Sequence, residues 1–137
     1  MPSIAHVLET ALYVDDIDLA KAFYRDTLGL HVMSEGPRLV TLDAGKSTVL
    51  LLFKRGATSE GLRFPGGWIP PHDASGPAHL AFAIDAADLE TWERQLEAHG
   101  VTIESRVTWS GGGRSVYFRD PDGHSVEMAT PGVWPTY

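Results

Sequence analysis

The chain contains an internal repeat, which constrains its fold more than any other feature of the sequence. Residues 9–19 read ETALYVDDIDL and residues 79–89 read HLAFAIDAADL, at an offset of 70 residues in a chain of 137. Each copy alternates along its length as a strand does, and then reaches an Asp-x-x-Asp-Leu sequence. We therefore expect two copies of one supersecondary unit.

A helix is predicted after the first strand of each copy. Asp18 and Asp88 are suitable N-cap residues, and an apolar face follows each of them. Gly29 and Gly100 stand where the helices should end, since glycine is common just past a helix C-terminus.

Three strand-like runs follow each predicted helix. They are residues 30–33, 38–43 and 47–53 in the first half and residues 101–104, 115–119 and 124–129 in the second. The chain is thus predicted to have an α+β fold made of two β-α-β-β-β modules. We expect a single domain over residues 1–137, with module one at 1–54, a linking loop at 55–77 and module two at 78–137.

Composition excludes several classes of protein. There is no cysteine, so disulfides, thiolate metal sites and cysteine nucleophiles are excluded. The net charge is −7 and no basic cluster is present, which argues against nucleic acid as a partner. No run of 18 apolar residues and no secretory signal is found, so no membrane association and a cytoplasmic location are expected.

Three segments resemble a known family, the vicinal oxygen chelate superfamily. They are LYVDD leading to AFYRDTLGL in residues 12–30, GPAHLAF in residues 76–82, and YFRDPDGHSVE in residues 117–127. That superfamily includes glyoxalase I, extradiol dioxygenases, fosfomycin-modifying transferases and bleomycin-resistance proteins. The resemblance covers nearly the whole chain and implies the paired-module glyoxalase/bleomycin resistance/dihydroxybiphenyl dioxygenase fold.

The resemblance also implies a metal site. Family ligands lie on the first and last strands of the modules, and these places fall on Glu9, His79 and Glu127. The fourth place falls near Val49 or Leu51, neither of which can bind a metal. Most relatives also carry His where Glu9 stands, so the chain departs from the pattern of glyoxalase I.

Strand periodicity agrees with these three ligands. Alternate residues of a strand share a face. Leu12, Phe82 and Val126 are expected to face the helix, so Glu9, His79 and Glu127 fall on the other face of their strands. Two carboxylates and one imidazole form an oxygen-rich set that suits Fe, Mn, Ni, Co or Zn as one divalent ion. Burying two carboxylates without a cation would be costly.

Three further residues are candidates for substrate binding. Tyr117 matches a family position beside the substrate, Trp68 lies in the linking loop, and Arg114 follows a triple glycine and could bind a carboxylate. Each has a plainer interpretation: a tyrosine packed in a hairpin, a loop packed on its own sheet, and a solvated arginine.

The leading hypothesis is a metal-dependent lyase, isomerase or dioxygenase. Its small-molecule substrate would chelate the metal through two neighbouring oxygens, with Glu9 or Glu127 as the catalytic carboxylate that moves a proton. The alternative is a bleomycin-resistance-like protein that sequesters a small molecule. Thiol transfer to an epoxide antibiotic is disfavoured, because the first-strand His is replaced and no basic cluster is visible.

The resemblance further implies a homodimer. In short family members the two modules of one cavity often come from different subunits. The metal would then lie across the interface, with Glu9 from one chain and His79 and Glu127 from the other.

Overall fold

Each half of the chain folds into a four-stranded sheet with a helix, which confirms the predicted α+β fold of two modules. The computed structural model describes residues 1–137, and these divide into two compact units, residues 1–76 and 77–137. The strands alternate between a buried and a more open face, as a sheet covered on one side requires.

The first unit contains a mixed sheet in the order β1-β4-β3-β2. Strand β1 runs parallel to β4, whereas β3 is antiparallel to both β4 and β2. A separate hairpin, β5–β6, follows the sheet. The elements are β1 (Glu9–Val14), α1 (Ile17–Ala22), β2 (His31–Glu35), β3 (Leu39–Asp43), β4 (Val49–Lys54), β5 (Leu62–Phe64) and β6 (Gly67–Ile69).

The second unit repeats this topology in the order β7-β10-β9-β8, again with one parallel pair. The register of β9 against β10 is continuous from Ser125 opposite Arg119 to Ala129 opposite Ser115, so no bulge interrupts it. The elements are β7 (His79–Ala83), α2 (Leu89–Ala98), β8 (Ser105–Thr108), β9 (Arg114–Arg119) and β10 (Ser125–Ala129).

One face of each sheet is buried and supplies the core. In β4, Leu50 and Leu52 are fully buried, whereas Leu51 and Phe53 lie on the more open face. Burying a leucine side chain is worth about 1.5–3 kcal/mol, so these alternate positions fix which face turns inward. The same alternation leaves the face that carries His79 open in β7.

Two predicted segments differ from the structure. The linking loop contains the β5–β6 hairpin, whose three-residue strands are too short to show a period. The strand expected at residues 101–104 instead starts at Ser105. Val101 N donates to the carbonyl oxygen of Leu96 in α2 at 2.9 Å. The start of the predicted strand is therefore still bonded to the helix, and pairing with the sheet begins later.

The first helix also begins differently from the prediction. Asp16, not Asp18, caps α1, because its Oδ1 accepts hydrogen bonds from Asp18 N at 3.0 Å and Leu19 N at 3.1 Å. The helix then widens into a π-helical turn at Phe23–Thr27 and ends before Gly29, whose φ is 76°. Asp88 occupies the N-cap position of α2 as predicted, but its side chain makes no capping hydrogen bond. No helix in either unit has the length and apolar character needed to cross a membrane.

The cap of α1 gives a test of the local structure. Replacing Asp16 by Ala removes the acceptor for two backbone N–H groups and should lower the free energy of unfolding by about 1 kcal/mol. The matched variant Asp18→Ala removes a carboxylate of the first turn that caps nothing and should cost less than about 0.5 kcal/mol. Urea unfolding of both variants measures the difference, and equal losses would contradict the assignment.

Candidate metal centre

The pairing of β7 with β10 brings His79 and Glu127 together. Ser125 lies opposite His79 and Glu127 lies opposite Ala81, so the two side chains share one face of neighbouring strands. His79 Nε2 lies 3.3 Å from Glu127 Oε1. The small side chain of Ala81 leaves this face open around them.

The backbone fixes the orientation of the His79 ring. Its Nδ1 lies 3.0 Å from the carbonyl oxygen of Ser125, which can only accept a hydrogen bond. Nδ1 therefore carries a proton, and Nε2 is the ring nitrogen that is left to bind a metal. A backbone carbonyl on the other ring nitrogen is the usual support of a metal-binding histidine.

Glu127 is buried and is held by a directed chain of hydrogen bonds. Its side chain is only 7% exposed. The hydroxyl of Ser115 donates to Glu127 Oε2 at 2.5 Å, and Trp109 Nε1 donates to Ser115 Oγ at 2.9 Å. Because an indole nitrogen only donates, the serine proton is free to point at the carboxylate.

Tyr117 completes this group of side chains. It lies opposite Glu127 in the β9–β10 pair, and its ring stacks on that of His79 at 6.2 Å between centroids. Burial raises the pKa of the Tyr117 phenol, and the negative charge of Glu127 and a hydrogen bond to it raise the pKa further. Tyr117 thus keeps its proton and presents a neutral donor beside the carboxylate.

The geometry of the pair fits a divalent cation. Bonds of about 2.1 Å from a metal to imidazole nitrogen and carboxylate oxygen place these two atoms about 3.0–3.4 Å apart for angles between octahedral and tetrahedral. The observed separation is 3.3 Å. A divalent cation there would be bound by both the Nε2 lone pair and the carboxylate, whereas in the absence of metal a proton on Nε2 joins the two as an ion pair.

Glu9, the third predicted ligand, lies in the other unit. It begins β1 opposite Val49 and is exposed. Equivalent registers in the two sheets make Leu51 the counterpart of Glu127, so module one carries no second pair of this kind. Within neither unit are three His, Asp or Glu side chains grouped as a metal site, and the role of Glu9 stays a prediction.

The two remaining candidates are Trp68, in the first unit, and Arg114, in the second. Trp68 is on β6 in the first unit, where the Arg63 guanidinium covers its ring at 5.3 Å. Arg114 precedes Ser115 in β9 and so lies on the opposite face of that strand, with its Nη1 3.9 Å from Glu90 Oε1 of α2. Their predicted part in substrate binding remains untested.

The hydrogen bonds that Ser115 and Trp109 contribute beside Glu127 were not predicted. The sequence does carry one signal for Ser115, since it stands two residues before Tyr117 and must share its face if the strand is regular. Trp109 lies outside the strands, and only the turn that returns to β9 brings its indole to Ser115. That contact has no periodic signature.

Known proteins share this architecture. A sequence model of the Glyoxalase/Bleomycin resistance protein/Dioxygenase superfamily matches residues 3–128. The crystal structure of lactoylglutathione lyase from Agrobacterium tumefaciens superposes with a TM-score of 0.89 and 38% sequence identity, covering 98% of this chain and 99% of that one.

Two enzymes of related name are similar in sequence. Metallothiol transferase FosB of Bacillus licheniformis is 42% identical over 57 residues, which are 41% of this chain and 37% of that protein. Glutathione transferase FosA of Serratia marcescens is 30% identical over 117 residues, covering 85% of this chain and 74% of that protein. With the match to residues 3–128, these similarities show that the chain belongs to the glyoxalase/bleomycin resistance protein/dioxygenase superfamily.

Proposed function

We propose that the protein is a metal-dependent enzyme that acts on a small substrate with two neighbouring oxygens. The observation that carries the proposal is the 3.3 Å separation of His79 Nε2 and Glu127 Oε1, with each side chain held by its own hydrogen bond. The similarity to lactoylglutathione lyase favours lyase or isomerase chemistry over oxygenation.

His79 and Glu127 are the proposed protein ligands, and Glu9 is the proposed third one. A divalent cation there would supply Lewis acidity and stabilise negative charge that develops on the substrate oxygens. Ser115 is a positioning residue, since it orients Glu127 through Oε2 and leaves Oε1 toward His79. Glu9 or Glu127 would accept and return the proton, and Tyr117 would line the substrate side.

A second candidate reaction is metal-dependent thiol transfer. The sequence alone disfavours it, but the similarity to FosA and FosB supports it. Two assays distinguish the reactions. Formation of lactoylglutathione measures the lyase reaction, and loss of glutathione in the presence of an epoxide measures thiol transfer. A third possibility is that the protein sequesters a small molecule without catalysing a reaction. Purified protein that contains no metal would support it.

Metal content tests the central proposal. Untagged protein prepared without chelator should contain close to one divalent ion per chain by elemental analysis. His79→Ala and Glu127→Ala should lose it, because each removes one of two paired ligands, and Glu9→Gln should lower it. The control His99→Ala removes an exposed histidine and should change nothing. No bound metal, and no uptake from added Fe, Mn, Ni, Co or Zn salts, would contradict the proposal.

The role of Ser115 has its own test. Ser115→Ala removes the hydroxyl that orients Glu127 and should weaken metal binding by about 10–100-fold, the usual effect of losing such support. Competition with a chelating dye measures the affinity. The control Ser110→Ala lies in the exposed turn before β9 and should bind metal as the wild type does. Equal affinities for the two variants would show that Ser115 does not position the ligand.

We also infer a homodimer whose site is completed by both subunits, as in other short family members. Light scattering should give twice the mass of the 137-residue chain. A single species at the monomer mass would contradict this inference, while it would leave the His79–Glu127 pair, which lies within one unit, as it is.

A further inference from the structure

A cavity of about 590 Å³ lies within the first unit, between the open face of its sheet and the β5–β6 hairpin. Its volume falls in the range of small-molecule sites. Most of the lining is apolar and consists of Ala11, Leu39, Leu51, Phe53, Leu62 and Ile69. The charged side chains of Glu9 and Arg38 also line the cavity.

The two modules differ in chemistry at equivalent places. Leu51 stands where module two has the metal-facing Glu127, and by the same registers Leu39 stands where module two has Ser115. Polar residues that support a ligand pair in one sheet are thus replaced by aliphatic ones in the other. This surface is suited to cover an apolar group.

One end of the cavity is closed by aromatic rings. The hydroxyl of Tyr13 lies 2.5 Å from His72 Nδ1, and the rings of Phe53 and His72 meet edge to face at 4.8 Å. Thr58 donates its hydroxyl proton to the carbonyl of His72, which ties the loop to this cluster. Rings in this arrangement offer both faces and edges to an aromatic ligand.

The hairpin wall is closely packed at Gly61. Its φ is 75°, and a Cβ there would lie 2.4 Å from the carbonyl oxygen of Ile69. Only glycine therefore allows the strand that carries Ile69 to approach so closely. The wall of the cavity is set by this contact.

Arg38 lies at the edge of the cavity and has no partner. Arg38 precedes Leu39, which pairs with Phe53 near the end of β4, whereas Glu9 pairs with Val49 at the start of β4. Arg38 and Glu9 therefore lie at opposite ends of the cavity. Its guanidinium makes no hydrogen bond, ion pair or ring contact. Every other arginine has one: Arg25, Arg55, Arg63, Arg94, Arg106, Arg114 and Arg119.

We propose that this cavity binds a ligand with an aromatic or aliphatic body and an anionic group. The body would cover Ala11, Leu51 and Phe53, and a carboxylate or similar anion would pair with the forked donors of Arg38. That this ligand is the enzyme's substrate rests on the proposed function. The binding itself does not, because none of the residues proposed to contact the ligand is a proposed metal ligand.

Two dyes of similar shape test the proposal on the whole protein. Anilinonaphthalene sulfonate carries an anion, and phenylnaphthylamine is its uncharged counterpart. Fluorescence titration gives the affinity for each. Arg38→Gln should weaken sulfonate binding about tenfold, since a hydrogen-bonded charge is lost, and leave the neutral dye within about twofold. The control Arg94→Gln removes an exposed arginine of α2 and should change neither.

Filling the cavity locates the binding. Ala11→Phe should weaken both dyes at least about tenfold, because its ring would occupy the space of the ligand. Ala11→Leu, a smaller change, serves if the larger one unfolds, and thermal unfolding monitors both. The control Ala98→Phe adds the same ring on the surface of α2. Unchanged binding in the Ala11 variants, or equal losses of the two dyes in Arg38→Gln, would overturn the proposal.

Metal content separates this inference from the proposed function. Arg38→Gln alters none of the three proposed ligands and should keep its metal, whereas Ala11→Phe lies two residues from Glu9 on the same face and is not used for this comparison. If the protein has its normal metal content and the substitutions leave both dye affinities unchanged, the cavity proposal alone is refuted. Absence of metal from a wild type that binds the dyes as predicted would refute the enzyme proposal alone.

Discussion

The arrangement of the second unit depends on a buried carboxylate. Glu127 is 6% exposed, and a charge in that position is unstable unless it is hydrogen-bonded and faces a cation. Ser115 supplies the hydrogen bond, and His79 Nε2 lies 3.3 Å from the other carboxylate oxygen, a position from which it can share a proton or a metal ion with Glu127. The parallel register of β7 and β10 makes this possible, because a shift of one residue would turn Glu127 into the hydrophobic core.

The two halves of the internal repeat form sheets of the same topology that carry different side chains on their open faces. In each module the parallel pair places the first and last strands side by side. In module two these strands carry His79 and Glu127, whereas in module one they carry Glu9 and Leu51. A fold of this kind can therefore keep a paired His and Glu on the open face of one copy and a mostly apolar surface in the other.

Much of this could be predicted from the sequence, because the repeat and the two-residue period report directly on sheet faces. The period places His79 and Glu127 on the open face, and the register confirms that they are neighbours. The same period could have placed Arg114 on the helix side of β9, since no bulge disturbs its pairing with β10. Parity was not used to place the side chains of this hairpin, because a bulge would have reversed it.

Other features leave no periodic signal. The strands of the β5–β6 hairpin are three residues each, and their position follows from the close contact at Gly61 rather than from a pattern of side chains. The bond from Trp109 to Ser115 depends on the path of a turn. The cap of α1 was placed two residues late, because either Asp16 or Asp18 satisfies the preference for an N-cap.

The most direct test of the central claim is anomalous diffraction from crystals of the metal-loaded protein, collected at the absorption edge of the metal that elemental analysis finds. The account predicts a peak about 2.0–2.3 Å from both His79 Nε2 and Glu127 Oε1. A peak elsewhere on the chain, or none at saturating metal, would contradict the claim that this pair holds a metal.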